Sequence, residues 1–586
     1  MWCTCANAEQ VWSRSPWGGT TLEGRMESPL MGDASTTVRR MLLFASFCFS
    51  VLLCAPLEKG FGKPRAARTG QDLSQVSSPW HVHRFFACRV GQEVFMSSAV
   101  PEQERAWRIG TAPGIFPLFG HGIALFRQPL GFLNSLPTYG DVVEIRLGPQ
   151  RAWMVCHPEL VHQMLRDTRT FDKGGPQYDR LRILMGDGVV TCRHDEHRRQ
   201  RRLLQPDFRL SRVADHTEQM GEEAESVCRA WQPGQKVDVS GATMAFTTGV
   251  ISRVLFSDSL DAATAAEVRH SLAAIVRGLF ARTVVPVDAL FRVPTPANRR
   301  YRRAVDRVHA IIDDVIAARR RGAPRDDLLG TLLTAAQGNG PEGAISEQEL
   351  HDHLVSLLLT GSESPSMCLA SAFSLLAEHP EVERRLHAEV DAVLAGRQRP
   401  GPDDLARLVY TRCVVTETLR HSPPGWLFTR MTTRETSFAG CRLPRGATIL
   451  YSPYLLHRDP TSFADPERFL PDRWLPGQAA DERHGAMVPF AAGSRKCIGD
   501  LLSMAEMTMA LATVAGRWRL RHLPGPVARP RPGATLGPRS LVMICEPRTR
   551  VPVDTSAHAG SPAPRATAAP RTDESRRAGG NGVDHA

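Results

Sequence analysis

The most chemically informative stretch of this 586-residue chain is Phe490-Ala-Ala-Gly493-Ser-Arg495-Lys-Cys497-Ile-Gly499. A single cysteine sits where a glycine-containing loop runs into an apolar helix that starts near Leu501. Backbone N–H groups and the helix dipole at such a junction can stabilise a thiolate, the form in which cysteine binds metals. Gly493 and Gly499 let the backbone come close to something flat and bulky. Arg495 supplies a fixed cation two residues before the sulfur, suited to a carboxylate. Upstream, Glu417-Thr-Leu-Arg420 sets an acid and a base on one helix face, and Pro466-Glu-Arg468-Phe469 follows. His197 and Arg201, four apart, also share a face. The run Leu357-Leu-Leu-Thr360-Gly361-Ser362-Glu363-Ser364-Pro365-Ser366 sets an acid beside an alcohol, a pairing that can relay protons. Pro365 removes an N–H and is expected to kink its helix locally, which leaves water or Ser366 as other proton routes. Each of these has a plain counterpart: lone cysteines are mostly structural, and E-x-x-R pairs are mostly solvated helix salt bridges.

The elements that must position these residues are mainly helical. Apolar periodicity predicts helices over His157–Arg166, Glu218–Trp231, Ala263–Leu279, Arg300–Arg321, Ser346–Glu378, Pro380–Leu394 and Asp403–His421. Val142–Leu147 and Ala152–Val155 read as a hairpin turning at Gly148-Pro149, and short β-like pieces return around Glu435–Leu450. Residues 1–95 lack a sustained period and contain one apolar run, Met41–Leu57, behind Arg39 and Arg40. That run is slightly shorter than the roughly 20 residues of a membrane span. Three readings stand for 1–95: sequence outside the mature protein, with Met96 opening a more protein-like passage, a weak anchor, or an export signal. Residues 549–586 are rich in Ala, Pro, Ser and Arg and are expected to be disordered. The domain itself is expected over 96–548.

Composition narrows the function. The net charge is +11, carried almost wholly by arginine, since the lysines are Lys59, Lys63, Lys173, Lys236 and Lys496. No zinc-finger spacing or aromatic-interleaved basic stripe accompanies it, so nucleic acid is not an expected partner. Thirteen cysteines are scattered without a disulfide framework, which suits a reducing, cytoplasmic setting.

The F-x-x-G-x-R-x-C-x-G spacing resembles the cytochrome P-450 family, and the other motifs follow in the family's order across Trp107 to Pro547. The resemblance implies a mostly α fold with a small β-region, one large heme-thiolate domain. It implies a heme b ligated by Cys497, with Phe490, Gly493 and Gly499 shaping the loop. A thiolate ligand pushes electron density onto iron and favours O–O cleavage. Arg495, Arg430, Arg201 and His197 would clamp the heme propionates. Arg198, Arg199 and Arg202 read as a solvated face, which with Lys496 could attract an acidic electron donor. Glu417, Arg420 and Arg468 would form a structural network bracing the cysteine loop. Gly361 would widen a groove for dioxygen, with Glu363 as the relay acid and Ser364 in place of the usual threonine.

What this implies is a monooxygenase inserting one atom of dioxygen into an apolar small molecule, fed by a separate ferredoxin and ferredoxin reductase. The apolar run Pro423–Phe428, with Met185, Val189 and Val190, would line the substrate pocket. The passage around His197 and the Gly-Ser-Glu helix are similar to bacterial terpene, especially sesquiterpene, hydroxylases of secondary metabolism. Asp313-Asp314 and Asp326-Asp327 lack the third acid of a terpene-cyclase motif, so no second site is expected. Two alternatives stay open: a heme-thiolate isomerase or dehydratase needing no external electrons, motivated by Ser364-Pro365, and a heme- or ligand-binding protein without turnover.

Overall fold

A 32-residue helix, Glu347–Glu378, runs through the middle of the computed structural model and carries the acid–alcohol pair. The structure describes residues 106–548, apart from 118, 258–259, 285–287, 341 and 479–484. Met41–Leu57 and the terminal segments 1–95 and 549–586 therefore lie outside the described residues.

The helices that matter below are α1 (Pro158–Arg166), α2 (Pro176–Met185), α3 (His194–Leu204), α4 (Thr217–Cys228), α5 (Val239–Phe256), α6 (Ala262–Val284), α7 (Pro296–Arg321), α8 (Leu328–Ala336), α9 (Glu347–Glu378), α10 (Pro380–Leu394), α11 (Val409–His421) and α12 (Asp500–Ala515). Local chemistry sets many of their starts. Ser346 caps α9 by accepting the Glu349 N–H, Asp238 caps α5 through Gly241, Thr295 caps α7 through Asn298, and Asp327 caps α8 through Gly330. Proline occupies the first turn of α1, α2 and α10, where its missing N–H costs nothing.

Helix α9 is buried on nearly every side between Leu350 and Leu376, as a helix apolar all round must be. It packs on α5, α11 and α12. Pro365 sits inside α9 without interrupting it. Helix α5, absent from the expectations, has no amphipathic period because it too is a core helix. It is the one described helix apolar and long enough to span a bilayer, with 72% of that stretch buried in protein. The helix expected over Asp403–His421 is shorter: the Asp404 carboxylate turns back to the Gly401 N–H, forming a 3₁₀ turn, and α11 begins at Val409.

The β-region is a six-stranded mixed sheet in the order β1 (Ile109–Thr111), β2 (Val142–Leu147), β3 (Gln150–Val155), β9 (Thr448–Tyr451), β6 (Phe428–Thr432) and β4 (Phe171–Asp172). The β2–β3 hairpin pairs Val142 with Val155 and turns at Gly148, whose φ of 63° is readily available to glycine. Strands β5 (Lys236–Asp238), β10 (Trp518–His522) and β11 (Val542–Pro547) form a second sheet, and β7 (Thr436–Phe438) with β8 (Cys441–Leu443) a small hairpin. One large apolar core joins the helices, and two smaller ones lie against the six-stranded sheet.

Candidate functional site

Cys497 lies at the end of a loop held by its own backbone. Its N–H donates to the Phe490 carbonyl at 2.9 Å, Lys496 N–H donates to Gly493 O, and Ala491 N–H to Val488 O. Gly493 has φ +68°, and a Cβ there would sit 2.2 Å from the Leu165 carbonyl oxygen. The loop therefore rests on the end of α1, with Thr168 and Ser494 hydroxyls 2.8 Å apart at the contact. This corrects one expectation. Gly493 serves close approach to protein backbone, while Gly499, which lines the cavity and has only Phe208 within reach of a Cβ, keeps the open side.

The Cys497 side chain faces a cavity of about 440 Å³ that also takes in Phe490, Gly499, His197, Arg201, Arg430, Arg495, Glu363 and Ser364. Burial pushes the thiol up, against the Gly499 N–H and the charges of Lys173 and Arg201, which favour the thiolate. The favourable groups expected at a helix start are present, and desolvation outweighs them. A metal cation on the sulfur reverses that balance, because coordination deprotonates a thiol outright.

The cavity wall gathers cations. Antiparallel pairing of β4 with β6 sets Asp172 beside Met431, which brings Lys173, just past the end of β4, next to Arg430 at the centre of β6. Arg430 is fully buried, donates to the Thr429 carbonyl at 3.0 Å and lies over the Tyr451 ring. Arg495, also buried, pairs with Asp172 at 2.6 Å and donates to Cys192 O at 2.9 Å. Lys173 donates to Val190 O at 2.9 Å, and burial with its arginine neighbours lowers its pKa. His197 is held down to about 3 by burial first, then by Arg495, Lys173 and Arg201, so its ring is neutral. Arg201 donates to Gln205 and to the Lys496 carbonyl, tying α3 to the cysteine loop.

The Nε atoms of both Arg430 and Arg495 are buried without a hydrogen-bond partner. Orphaned guanidinium donors in a cation-rich wall call for an anion. A flat apolar ring bearing carboxylates, with a metal to meet the sulfur, satisfies the cations, the orphaned donors and the thiol together. The residues fit the expected heme.

Beside the cations the lining is apolar: Met185, Val189, Val190, Pro424, Trp426, Leu427 and Phe428 form this wall as expected. From α9, Glu363 and Ser364 face the same cavity. Burial raises the Glu363 pKa, and its Oε1 accepts from Thr535 Oγ1 at 2.7 Å. Ser366 points elsewhere, its hydroxyl 3.0 Å from Thr243 on α5, so it is not a second proton route at this wall. The space opened by Gly361 is taken by Ile251 of α5, to which a Cβ would come within 2.7 Å. This glycine serves close helix packing where a Cβ would stand, and it also lines the cavity.

The bracing network differs by one arginine. Glu417 and Arg420 are wholly buried and joined twice, and Arg420 also donates to the carbonyls of His457, Pro466 and Arg468. Glu417 further accepts from Leu470 N–H and Trp474 Nε1, both at 2.8 Å. The Arg468 side chain is exposed and, among the described residues, pairs only with Asp465, so Arg468 contributes its carbonyl alone to the network described. The second arginine on Glu417 is Arg473, Nε to Oε1 3.4 Å, with 8% of its side chain exposed. Pro471-Asp-Arg473-Trp474 repeats the Pro-x-Arg-aromatic pattern of 466–469, and the tryptophan was the usable signal. His457, also unforeseen, accepts from Val488 N–H and sits 3.2 Å from the Arg420 carbonyl, linking the network to the cysteine loop.

Of the arginines beside the clamp, Arg199 is less solvated than expected, whereas Arg198 and Arg202 are exposed as expected. Arg199 pairs with Glu349 and Glu196, Arg202 with Glu342, and Lys496 with Asp500; Arg198 remains exposed. Of the Asp pairs, buried Asp327 caps α8 and holds Arg319 at 2.7 Å, while exposed Asp326 and Asp313 meet Arg212 and His351 at the surface.

The family description cytochrome P450 matches residues 112–544. The chain is 48% identical over 453 residues to cyclooctat-9-en-7-ol 5-monooxygenase of Streptomyces melanosporofaciens, covering 77% of this chain and 98% of that protein. It is 45% identical to cyclooctatin synthase of the same organism, covering 77% of this chain and 99% of that protein. Pentalenene oxygenase of Streptomyces avermitilis is 40% identical, covering 75% of this chain and 98% of that protein.

Proposed function

The chain belongs to the cytochrome P450 family, and from that premise we propose a terpene hydroxylase of secondary metabolism whose heme b is ligated by Cys497. As a cytochrome P450 monooxygenase it uses heme and dioxygen, takes electrons from redox partners and acts on apolar small molecules. Bound heme supplies the reductive activation of dioxygen that places one oxygen atom in the substrate and releases the other as water.

The protein's own residues do the remaining work. Cys497 holds the iron; Arg430, Arg495, Lys173, Arg201 and neutral His197 hold the carboxylates; Glu417, Arg420, Arg473 and His457 keep the cysteine loop in place. The apolar wall from Met185 to Val190 and Pro424 to Phe428 excludes water and orients a hydrocarbon skeleton. Glu363 holds a proton at the cavity edge, and the Ser364 hydroxyl is the adjacent donor. The observation that carries the reading is the joint placement of Cys497, the orphaned Arg430 and Arg495 nitrogens and the apolar wall around one cavity.

The terpene assignment rests on relatives named for cyclooctat-9-en-7-ol and pentalenene, together with that wall. Exposed Arg198 and half-exposed Lys496, next to Cys497, support an acidic ferredoxin with its reductase as electron source. The described cysteines are all free thiols, which supports a reducing, cytoplasmic setting. Residues 96–548 are proposed as the heme domain.

The test has two parts. The ferrous carbonyl complex is expected to absorb at the wavelength for which the family is named, and Cys497→His is expected to abolish that band; a mutant that keeps it overturns the ligand assignment. With a surrogate ferredoxin, reductase and NADPH, pentalenene and cyclooctat-9-en-7-ol are offered as substrates. Hydroxylated product with matching oxygen consumption supports the reading. Product formed without oxygen or NADPH replaces it with the isomerase.

A further inference from the structure

Glu363 is tied to a part of the chain far from it in sequence. Its Oε1 accepts from the hydroxyl of Thr535 at 2.7 Å, across 172 residues, and both side chains are buried. The other carboxylate oxygen accepts no hydrogen bond from the described residues, and Glu363 lines the cavity that holds Cys497. Arg539 adds a favourable charge without a direct ion pair, its guanidinium donating at 3.4 Å to the Thr535 carbonyl.

The loop carrying Thr535 is fixed to the cavity wall. Leu536 N–H donates to the Pro424 carbonyl and Trp426 Nε1 to the Gly533 carbonyl, both at 2.9 Å. Arg531 and Gly537 close the loop by a bridge, and a Cβ at Gly537 would come within 2.9 Å of Met367 on α9. Thr535 is thus held on both sides, by the substrate-facing segment and by the helix that bears Glu363.

We propose that Thr535 is a positioning residue for proton delivery: its hydroxyl anchors one oxygen of Glu363 and leaves the other aimed at the cavity. The proposal rests on the reading of Glu363 as the relay acid. A carboxyl that gives and regains a proton each turnover needs its two forms close in free energy at working pH. Burial favours the neutral form, whereas a hydroxyl donating to the carboxylate favours the anion, so Thr535 offsets part of the desolvation. It also stops the side chain turning away from the cavity.

The experiment compares Thr535→Val, Thr535→Ser and Glu363→Gln with the wild-type holoenzyme, using pentalenene and cyclooctat-9-en-7-ol as probes. The carbonyl band reports that each variant is folded and loaded, and Thr535→Ala replaces valine if that variant takes up no cofactor. Peroxide released per NADPH consumed is measured across pH. The infrared band of the Glu363 carboxyl, assigned by its loss in Glu363→Gln, is titrated in parallel without substrate. Thr535→Val is expected to raise the Glu363 midpoint and divert about tenfold more electrons to peroxide near neutral pH, with the pH profile displaced upward. Thr535→Ser is expected to restore both. An unchanged midpoint and coupling in Thr535→Val, with Glu363→Gln impaired, overturns the role of Thr535 and leaves Glu363 standing. If Glu363→Gln is itself fully coupled, the relay reading falls and this proposal with it.

Discussion

Glu417 and Arg420 meet through two parallel hydrogen bonds of 2.8 and 2.9 Å, and neither side chain reaches solvent. Every remaining donor on that guanidinium and acceptor on that carboxylate is spent on the segment 457–474. The pair is therefore a fastener: it converts one turn of α11 into a fixed floor for the chain that leads to Cys497. Removing either partner strands a buried charge, at a cost of about 3–5 kcal/mol.

The two downstream arginines are expected to separate cleanly. Arg473→Ala removes a buried cation from Glu417 and is expected to lower the thermal midpoint and heme retention. Arg468→Ala removes an exposed side chain and keeps the carbonyl that Arg420 uses, so its effect is expected within about 0.5 kcal/mol. Thermal unfolding and heme content of the two variants check this; equal losses would contradict the assignment.

His457 is expected to make the protein acid-sensitive. Burial holds its pKa down to about 3 from 6.5, so the native ring is neutral while the unfolded ring protonates. The unfolded state then binds more protons between those values. Stability is present above pH 6.5 and is lost as pH falls through the window, by about 2 kcal/mol at pH 5 from this residue. Urea melts at pH 7 and pH 5 measure it; His457→Ala is expected to be weaker at pH 7 and to depend less on pH.

Glu506 on α12 runs the other way. It is buried, lines the cavity, and has its pKa raised well above 4.5 by desolvation, against one hydrogen bond from Ser503. The native carboxyl keeps its proton where the unfolded one has lost it, so its contribution to stability declines as pH rises above 4.5. Glu506→Gln preserves a neutral polar shape and is expected to stabilise at pH 8 and flatten the alkaline side of the stability curve. Chemical denaturation across pH 5–9 tests this, and an unchanged slope would contradict it.

The two glycines of the cysteine loop are expected to differ. Gly493→Ala meets the Leu165 carbonyl and a left-handed backbone, about 1–2 kcal/mol for the backbone alone, with heme uptake reduced by displacement of the loop. Gly499→Ala has φ −95° and open space, so folding is expected to survive. Heme occupancy and thermal midpoints of the two variants distinguish them.

The spacing F-x-x-G-x-R-x-C-x-G was enough to locate the cysteine loop, because glycine, arginine and sulfur must stand at fixed offsets along one short turn. Helices with an apolar stripe were likewise legible, since one face meets solvent. Helix α5 was not: like α9 it is buried nearly all round, but it is 18 residues against 32 and rich in Thr, Val and Gly, so neither length nor helix propensity marked it. Local sequence also set the caps, the β2–β3 hairpin and the i, i+3 pairing of Glu417 with Arg420. Only the tertiary structure decided which of two similar arginines reaches Glu417, that Gly361 is filled by Ile251, and that Thr535 holds Glu363. Each of those depends on contacts between segments tens to hundreds of residues apart. Spacing along the chain fixes a side chain's neighbours within a turn, whereas long-range partners follow from how whole elements bury their apolar faces.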